Sequence, residues 1–300
     1  LHLASADDPT PERVLPLSID TYTERAATTA HDVQSLAPVI PDERRDAVRA
    51  SLDRLDADLA DWYDPTSTRP KIALLGPVQV TAAGQLPEDK PRLAWHTEVV
   101  AYLATRPRGA TAEQYGTALW PDDPDIVGKS KVRQSVYVVR RWLGVNPSTG
   151  RDYLPTNPGV AGVVYRIEDA LVDAELFRQL RLRGVSRGAD GIHDLQAALN
   201  LVTGAPFDQR RPTGYGWLAE EALDHHYTAT IVDVAHTVAT HHLTESDPEA
   251  AAQAAEVALL AGSCEDTPLL DLAAACEARG MDAEVDTYVR RILHNHDVDE

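Results

Sequence analysis

The sequence predicts a mainly α-helical fold with a small α/β part. Apolar residues recur at helical spacing over most of the chain, while β-type runs are short and confined to two stretches, 71–84 and 152–167. The 300 residues include 43% hydrophobic side chains, as ordinary globular cores require, and the length suggests about two domains. The chain is also acidic, with 28 Lys and Arg against 47 Asp and Glu and a net charge of −19.

The charge is unevenly distributed and divides the chain into three regions. Residues 1–70 carry a net charge of −7, residues 71–168 carry +3, and residues 169–300 carry −15. Only the middle region has the sign that attracts a polyanion. We therefore predict an N-terminal extension, a middle domain and a C-terminal helical domain with these bounds.

The N-terminal extension contains a helix and a linker. Residues 1–40 are rich in Ala, Thr, Asp and Pro with weak periodicity, so we expect loose order there and a short helix around 19–34. Leucines at helical spacing then predict an amphipathic helix over 41–63. The polar, Pro-flanked stretch DPTSTRP predicts a linker at 64–70.

The middle domain begins with two strands around a Gly-Pro turn, continues with three helices and ends with a hairpin around Asn-Pro-Gly. Thr111 is the predicted N-cap of the second helix. The elements are predicted at 71–84, 92–107, 111–120, 129–144 and 152–167. Three helices followed by a hairpin are the order of a winged helix-turn-helix domain, whose third helix enters the major groove of DNA.

The third of these helices, KSKVRQSVYVVRRWLG, is the most unusual segment of the chain. Between Ile126 and Arg151 there is no carboxylate, although the protein is acidic, and six Lys or Arg side chains occur there. The helix has an apolar stripe that predicts a face turned to the core, formed by Val132, Val136, Val139 and Leu143. An ordinary solvated helix face is the alternative interpretation of the charges.

The other faces of this helix carry the residue types that DNA recognition needs. Cations beside the apolar stripe neutralise phosphates, and Gln and Arg side chains have the geometry to bond adenine and guanine edges. The predicted DNA contacts are Lys129, Ser130, Lys131, Arg133, Gln134, Tyr137, Arg140, Arg141, Arg151 and Asn157. Arg151, Asn157 and Tyr165 are expected in the wing, where turn chemistry explains Asn157 equally well.

The C-terminal domain is predicted to be helical throughout. Gly- or Pro-bearing turns separate six candidate helices, at 173–186, 190–203, 217–243, 248–261, 266–279 and 281–295. The last four pair at a spacing of about 34 residues, the period of tetratricopeptide-like helical hairpins. Four tryptophans are predicted to anchor cores, namely Trp95, Trp120, Trp142 and Trp217.

Motifs over 71–300 give a family resemblance. The stretches LLGPVQV, ALWPDD, VRQSVYVVRRWLG and YLPTNPGVAGVVYRIEDALVDAELFRQL, in this order, resemble the Streptomyces antibiotic regulatory protein family. LQAALNLVTGAPFD and YGWLAEE resemble the bacterial transcriptional activator domain that follows the winged helix in that family. The resemblance implies a response-regulator-type winged helix, a tetratricopeptide-like second domain and a transcriptional regulator that binds double-stranded DNA.

A second group is also similar. PRGATAEQYGTALWPD and PTGYGWL resemble actinobacterial membrane proteins with LysM-type modules, which carry such domains as a cytoplasmic C-terminal region. This resemblance implies the alternative function of a non-catalytic protein-interaction module whose winged helix no longer binds DNA. In both cases we expect a cytoplasmic location and a protein partner or self-association through the helical domain. No run in the sequence approaches the roughly 18 apolar residues of a membrane span.

No residue pattern predicts an enzyme. The sequence contains no GxGxxG or GxxxxGK[ST] glycine pattern, and Cys264 and Cys276 are not in a CxxC arrangement. Five histidines fall on the helix 217–243, namely His225, His226, His236, His241 and His242. None of them has the spacing of a HExxH metal site. We therefore predict no catalytic residue, cofactor, metal or small-molecule substrate. A metal-dependent enzyme that uses these histidines is a third alternative.

Overall fold

The structure, a computed structural model, describes residues 42–87, 90–123, 130–155, 164–263 and 265–297. The helices in these residues are α1 (Asp42–Tyr63), α2 (Lys90–Ala104), α3 (Ala112–Leu119), α4 (Ser130–Leu143), α5 (Asp173–Arg187), α6 (Ile192–Leu199), α7 (Gly216–Glu221), α8 (Leu223–Thr244), α9 (Pro248–Ala261), α10 (Asp266–Ala278) and α11 (Asp282–Asp297). The strands are β1 (Lys71–Ala73), β2 (Gln79–Thr81), β3 (Ala110–Thr111), β4 (Val164–Tyr165) and β5 (Leu171–Val172). The predicted mainly helical fold with a small sheet is confirmed. The loose order and short helix predicted before residue 41 lie outside the described residues.

Three strands form the main sheet, in the order β2–β1–β5. β1 pairs antiparallel with β2, as the Gly-Pro turn predicts, and Ile72 lies opposite Val80. β5 runs parallel to β1 on its other side, with Ile72 opposite Val172. Parallel neighbours need a long connection, and here α2, α3 and α4 lie between the two strands in the chain. β5 then leads directly into α5.

Helix α1 is amphipathic, as predicted. Leu55 is buried in the core, and Leu59 and Trp62 pack against it. Arg69, in the predicted linker, donates hydrogen bonds back to α1, at 2.6 Å to Asp58 among others. The linker is therefore held against the helix and leads directly into β1.

Helix α3 begins where the sequence predicts. The side-chain oxygen of Thr111 accepts a hydrogen bond from the N–H of Gln114 at 3.2 Å. The side-chain oxygen of Gln114 accepts one from the N–H of Thr111 at 3.0 Å, which completes a capping box. Such a cap stabilises a helix by about 1 kcal/mol. It fixes the start of α3 directly after β3.

The four tryptophans lie at core positions, as predicted. Trp142 and Trp217 are buried. Trp95 and Trp120 are partly buried against the core, and their ring centroids are 5.0 Å apart. Trp95 of α2 thus packs on Trp120 at the end of α3, and Trp217 of α7 packs on Tyr102 of α2 with ring centroids 5.2 Å apart.

The hairpin predicted at 152–167 differs in the structure. Its second strand, β4, pairs among the described residues with β3, and Ala110 lies opposite Tyr165. Asp152 forms only an isolated antiparallel bridge, with Val145. No strand is predicted from the sequence at the position of β3, because a strand of two residues leaves no alternation to detect. The Asn-Pro-Gly turn lies outside the described residues.

Two buried carboxylates connect the sheet and α2 to the helical region. Asp173, the first residue of α5, accepts a hydrogen bond from the N–H of Leu74 at 2.8 Å. Burial raises the pKa of Asp173 to about 7, whereas its N–H donors favour the charged form. Glu98 of α2 accepts from the N–H of Tyr215 at 2.6 Å and from the indole N–H of Trp217 at 3.3 Å. These hydrogen bonds hold together elements that are distant in the sequence.

The C-terminal region is helical, with two differences from the prediction. The helix predicted at 217–243 is two helices, α7 and α8, because Ala222 between them has left-handed backbone with φ of 49°. The helix predicted at 190–203 begins as a 3-10 turn and ends at Leu199. Helices α8 to α11 each pack on the next in the chain, and α8 also packs on α10.

Backbone contacts group the chain into two units, Leu1–Leu52 and Asp53–Glu300. All features analysed below belong to the second unit. The division at 70/71 and 168/169 that the charge distribution suggests stays a prediction. Among the residues that the structure describes, no helix combines the length and the apolar character needed to cross a bilayer.

Candidate nucleic-acid interface

Helix α4 is anchored in the core by the face that the sequence predicts. The predicted stripe is buried throughout, at Val132, Val136, Val139 and Leu143. Beside the stripe, Ser135 is also buried and accepts a hydrogen bond from the hydroxyl of Tyr115 at 2.8 Å. Burial raises the pKa of Tyr115, so this hydroxyl keeps its proton. The packing fixes the rotation of α4 about its axis and decides which side chains face solvent.

The opposite side of α4 presents polar and cationic side chains to solvent. We call these exposed residues the α4 face: Ser130, Lys131, Arg133, Gln134, Tyr137 and Arg141. Lys131 and Arg133 make no ion pair or hydrogen bond with any side chain that the structure describes. Their charges are therefore available to an external anion. All six residues of the α4 face were predicted DNA contacts.

Arg141 at the end of the α4 face is partly engaged. Its guanidinium donates a hydrogen bond to the side-chain oxygen of Gln85 and lies 5.8 Å from the ring centroid of Tyr137. A cleft of about 210 Å³ adjoins these residues and is also lined by Leu86 and Val138. Sequence reasoning misses Gln85, because it lies 56 residues before Arg141 and no local pattern connects the two.

Arg140 differs from its predicted role as a phosphate contact. Its side chain is 17% exposed, with Nε donating to the carbonyl oxygen of Leu154 at 2.7 Å and Nη2 to that of Pro155 at 3.1 Å. The carboxylate of Asp152 lies 3.6 Å away. Arg140 thus holds the first part of the predicted hairpin against α4. The reason is tertiary, since this segment folds back along α4 and offers its carbonyl groups as acceptors.

The remaining predicted contacts lie at different kinds of position. Arg151 is exposed in the loop after α4. Tyr165 is a core residue instead of a wing contact, because it is buried with its ring centroid 5.8 Å from that of Tyr115. Lys129 and Asn157 lie outside the described residues.

The histidines of the third alternative lie on α8 and contact different neighbours. His236 Nδ1 lies 2.8 Å from a carboxylate oxygen of Asp271 on α10. His242 Nε2 lies 2.6 Å from the side-chain nitrogen of Gln196 on α6. Over the part of the chain that the structure describes, no group of three or more His, Cys, Asp or Glu side chains is arranged to hold a metal ion.

Comparison with known proteins gives a likeness in fold. No family model and no curated protein matches the chain. The solved structure of Mycobacterium tuberculosis EmbR in complex with a low-affinity phosphopeptide matches with a TM-score of 0.52 and 21% sequence identity. The match covers 75% of this chain but only 59% of the EmbR chain. The matched parts of the two chains therefore have a similar fold, which in this chain is mainly helical with a small sheet.

Proposed function

We propose that this protein is a DNA-binding transcriptional regulator. In this proposal α2, α3 and α4, with β3 and β4, form a winged helix-turn-helix domain of the response-regulator type, and α4 enters the major groove. The helices from Asp173 onward form a tetratricopeptide-like domain that receives a signal or binds a protein partner. The protein belongs to the antibiotic regulatory protein family that its motifs resemble, acts in the cytoplasm and has no catalytic activity.

One observation carries the proposal: a carboxylate-free basic face lies on a helix whose rotation is fixed by core packing. Lys131 and Arg133 are placed to neutralise phosphates. Gln134 and Arg141 have the donors and acceptors that read adenine and guanine edges, and Tyr137 suits either backbone or bases. Because the helix is rigid, these groups keep one spacing, as sequence recognition requires.

The acidity of the rest of the chain is compatible with this function at physiological salt. The Debye length at that ionic strength is about 8 Å, so distant exposed charges are largely screened. Charges within the contact itself decide the local attraction. The net charge of −15 over residues 169–300 opposes DNA mainly at low ionic strength.

A protein partner for the helical region is the second half of the proposal. The EmbR structure contains a phosphopeptide, which supports a peptide or protein as one kind of partner for this fold. Large apolar side chains are exposed on the helical region at Leu260, Leu270 and Leu293.

The proposal is tested by binding of the full chain to a labelled random-sequence duplex at about 50 and about 200 mM salt. A protein that contacts several phosphates should lose at least about tenfold in affinity over this range. The double variant Lys131→Ala with Arg133→Ala should lower the salt slope by about two, one for each phosphate contact. The matched control removes two exposed cations of the helical region, Arg279→Ala with Arg290→Ala, and should leave the slope unchanged.

The possible outcomes separate the two function classes. If the chain does not bind the duplex at the lower salt concentration, DNA binding is excluded and the protein-interaction module becomes the favoured function. If the chain binds but both double variants lose affinity equally, the affinity depends on the overall charge of the protein. In that case α4 is not the recognition helix.

A further inference from the structure

A cavity of about 490 Å³ lies where the small sheet meets the helical region. Its walls come from α1, the end of α2, β1, the segment from Arg166 to Val172, α5 and one side chain of α8. The volume is within the range of roughly 300–1,000 Å³ that small-molecule sites occupy. The cavity is separate from the α4 face, because no residue of that face lines it.

Guanidinium groups dominate the charged lining of this cavity. We call it the arginine cavity, after Arg54, Arg69, Arg106, Arg166 and Arg178. Three carboxylates also line it, those of Asp58, Asp169 and Glu175. The lining therefore has an excess of positive charge, although the chain as a whole carries −19. Such a local reversal of sign favours an anionic ligand.

Two of the five arginines have structural roles. Arg69 is 17% exposed and pairs with Asp58 at 2.6 Å, with further carboxylates of α1 and of the loop before β5 close by. Arg106 stacks on the ring of Tyr102, with its guanidinium carbon 4.6 Å from the ring centroid, and pairs with Glu221. These two residues hold the walls of the cavity together.

The other three arginines are available to a ligand. Arg166 is exposed and makes no ion pair or hydrogen bond with any residue that the structure describes. Arg54 is 65% exposed and pairs with the partly exposed carboxylate of Asp169 at 3.2 Å. Arg178 is 57% exposed, and its Nε and Nη2 donate to the two carboxylate oxygens of Glu175 at 2.8 and 2.6 Å, so its Nη1 has no acceptor among the described residues. Exposed ion pairs contribute only about 0–1 kcal/mol, so a ligand anion can replace Asp169 at Arg54 at little cost. At Arg178 a ligand anion meets Nη1, beside the pair with Glu175.

The inner wall of the arginine cavity is apolar. It is lined by Leu103 of α2, Leu176 of α5 and the ring of Tyr227 of α8. The ring of Tyr227 is fixed by stacking on Phe207, with ring centroids 5.8 Å apart. Burial raises the pKa of Tyr227 to about 12, so the phenol is neutral and adds no negative charge to the site. An apolar wall beneath a few convergent polar groups is the usual form of a ligand site.

We propose that the arginine cavity binds a small organic oxyanion, a phosphate monoester or a carboxylate, with its apolar body on Leu103, Leu176 and Tyr227. Arg166 holds the oxyanion by paired hydrogen bonds, since the planar guanidinium matches both head groups, and Nη1 of Arg178 donates a further hydrogen bond. The ligand contacts both the segment after β4 and helix α5. This site was not foreseen from the sequence, which predicted no small-molecule ligand.

The binding is tested by isothermal titration calorimetry of the full chain without DNA, so that the result does not depend on the proposed function. The probes are phenyl phosphate, 3-phenylpropionate and inorganic phosphate, which separate the head group from the apolar body. We expect saturable binding with one site for at least one of the two aromatic anions, tighter than for inorganic phosphate. Arg166→Gln and Arg178→Gln should each weaken this binding about tenfold.

The control variant is Arg290→Gln, which removes an exposed cation of α11 and should leave the affinity unchanged. The thermal unfolding midpoint of each variant shows that it folds, and Arg166→Gln should leave it unshifted because Arg166 has no partner among the described residues to lose. If neither aromatic anion shows saturable binding up to about 10 mM, the proposal is overturned. Equal weakening in the Arg290 variant also overturns it, as does inorganic phosphate binding as tightly as both aromatic anions.

Discussion

Two arginine-bearing regions of the molecule use the same side chain in opposite ways. On the α4 face, Arg133 is exposed and has no partner that the structure describes. Between α5 and α6, Arg183 is 8% exposed, with Nε 3.0 Å and Nη2 2.6 Å from the two carboxylate oxygens of Asp194. Arg187 donates to the same carboxylate at 3.0 Å. The first arginine is available to an external anion, whereas the second is part of the core.

The difference comes from the supply of carboxylates within reach. From residue 126 to residue 151 the sequence has none, so Lys131 and Arg133 of α4 stay exposed to water and keep their hydration. The helical region is rich in Asp and Glu, so a guanidinium that becomes buried there finds a paired acceptor. A cation without a local carboxylate is therefore the better guide to a binding surface than a cation as such.

The largest expected change in stability comes from breaking the buried ion pair between Arg183 and Asp194. Asp194→Ala leaves the largely buried Arg183 guanidinium with only the exposed carboxylate of Asp56, at 2.7 Å, and should lower the free energy of unfolding by about 3 kcal/mol. Urea denaturation of the full chain measures this loss. Asp233→Ala is the matched control, because it removes a 63% exposed partner from Arg181 at 2.9 Å. The control should cost at most about 1 kcal/mol, and similar losses in both variants would contradict the comparison.

Arg140 is less exposed than Arg133 and less buried than Arg183, so its removal should have an intermediate effect on stability. Arg140→Ala removes the charged donor from the carbonyl groups of Leu154 and Pro155 and should destabilise the fold by about 1.5–3 kcal/mol. DNA affinity should fall because the first part of the predicted hairpin is released, while the salt slope stays that of the wild type. A slope lower by about one with unchanged stability would instead show that Arg140 contacts a phosphate, as the sequence predicts.

The smallest expected effect concerns Arg141. Gln85→Ala removes one exposed hydrogen bond from its guanidinium and should change the free energy of unfolding by less than about 0.5 kcal/mol. DNA affinity should rise by about twofold, since Arg141 no longer has to leave this partner on binding. Titration of the same labelled duplex measures the change. A loss of affinity greater than about tenfold would mean that Gln85 itself contacts DNA or positions Arg141.

Local sequence patterns predicted most of the helices and the orientation of α4. The apolar stripe from Val132 to Leu143 has the helical period, and that period alone decides which side of an isolated helix meets a core. The cap at Thr111 was predictable for the same reason, because a capping box is formed within four consecutive residues. The strand β3 and the break at Ala222 were not predicted, because a two-residue strand has no period and a left-handed alanine has no sequence signal.

The sequence by itself determined the mainly helical fold, the basic helix and its buried stripe, since helical period and the local absence of carboxylates can be read directly from the order of residues. Only the tertiary structure decided which cations are available. Arg140 meets carbonyl groups of a segment that folds back on α4, Arg141 meets Gln85 from the loop after β2, and five arginines from separate elements line one cavity. These contacts join positions far apart in the chain, and no local pattern carries information about them.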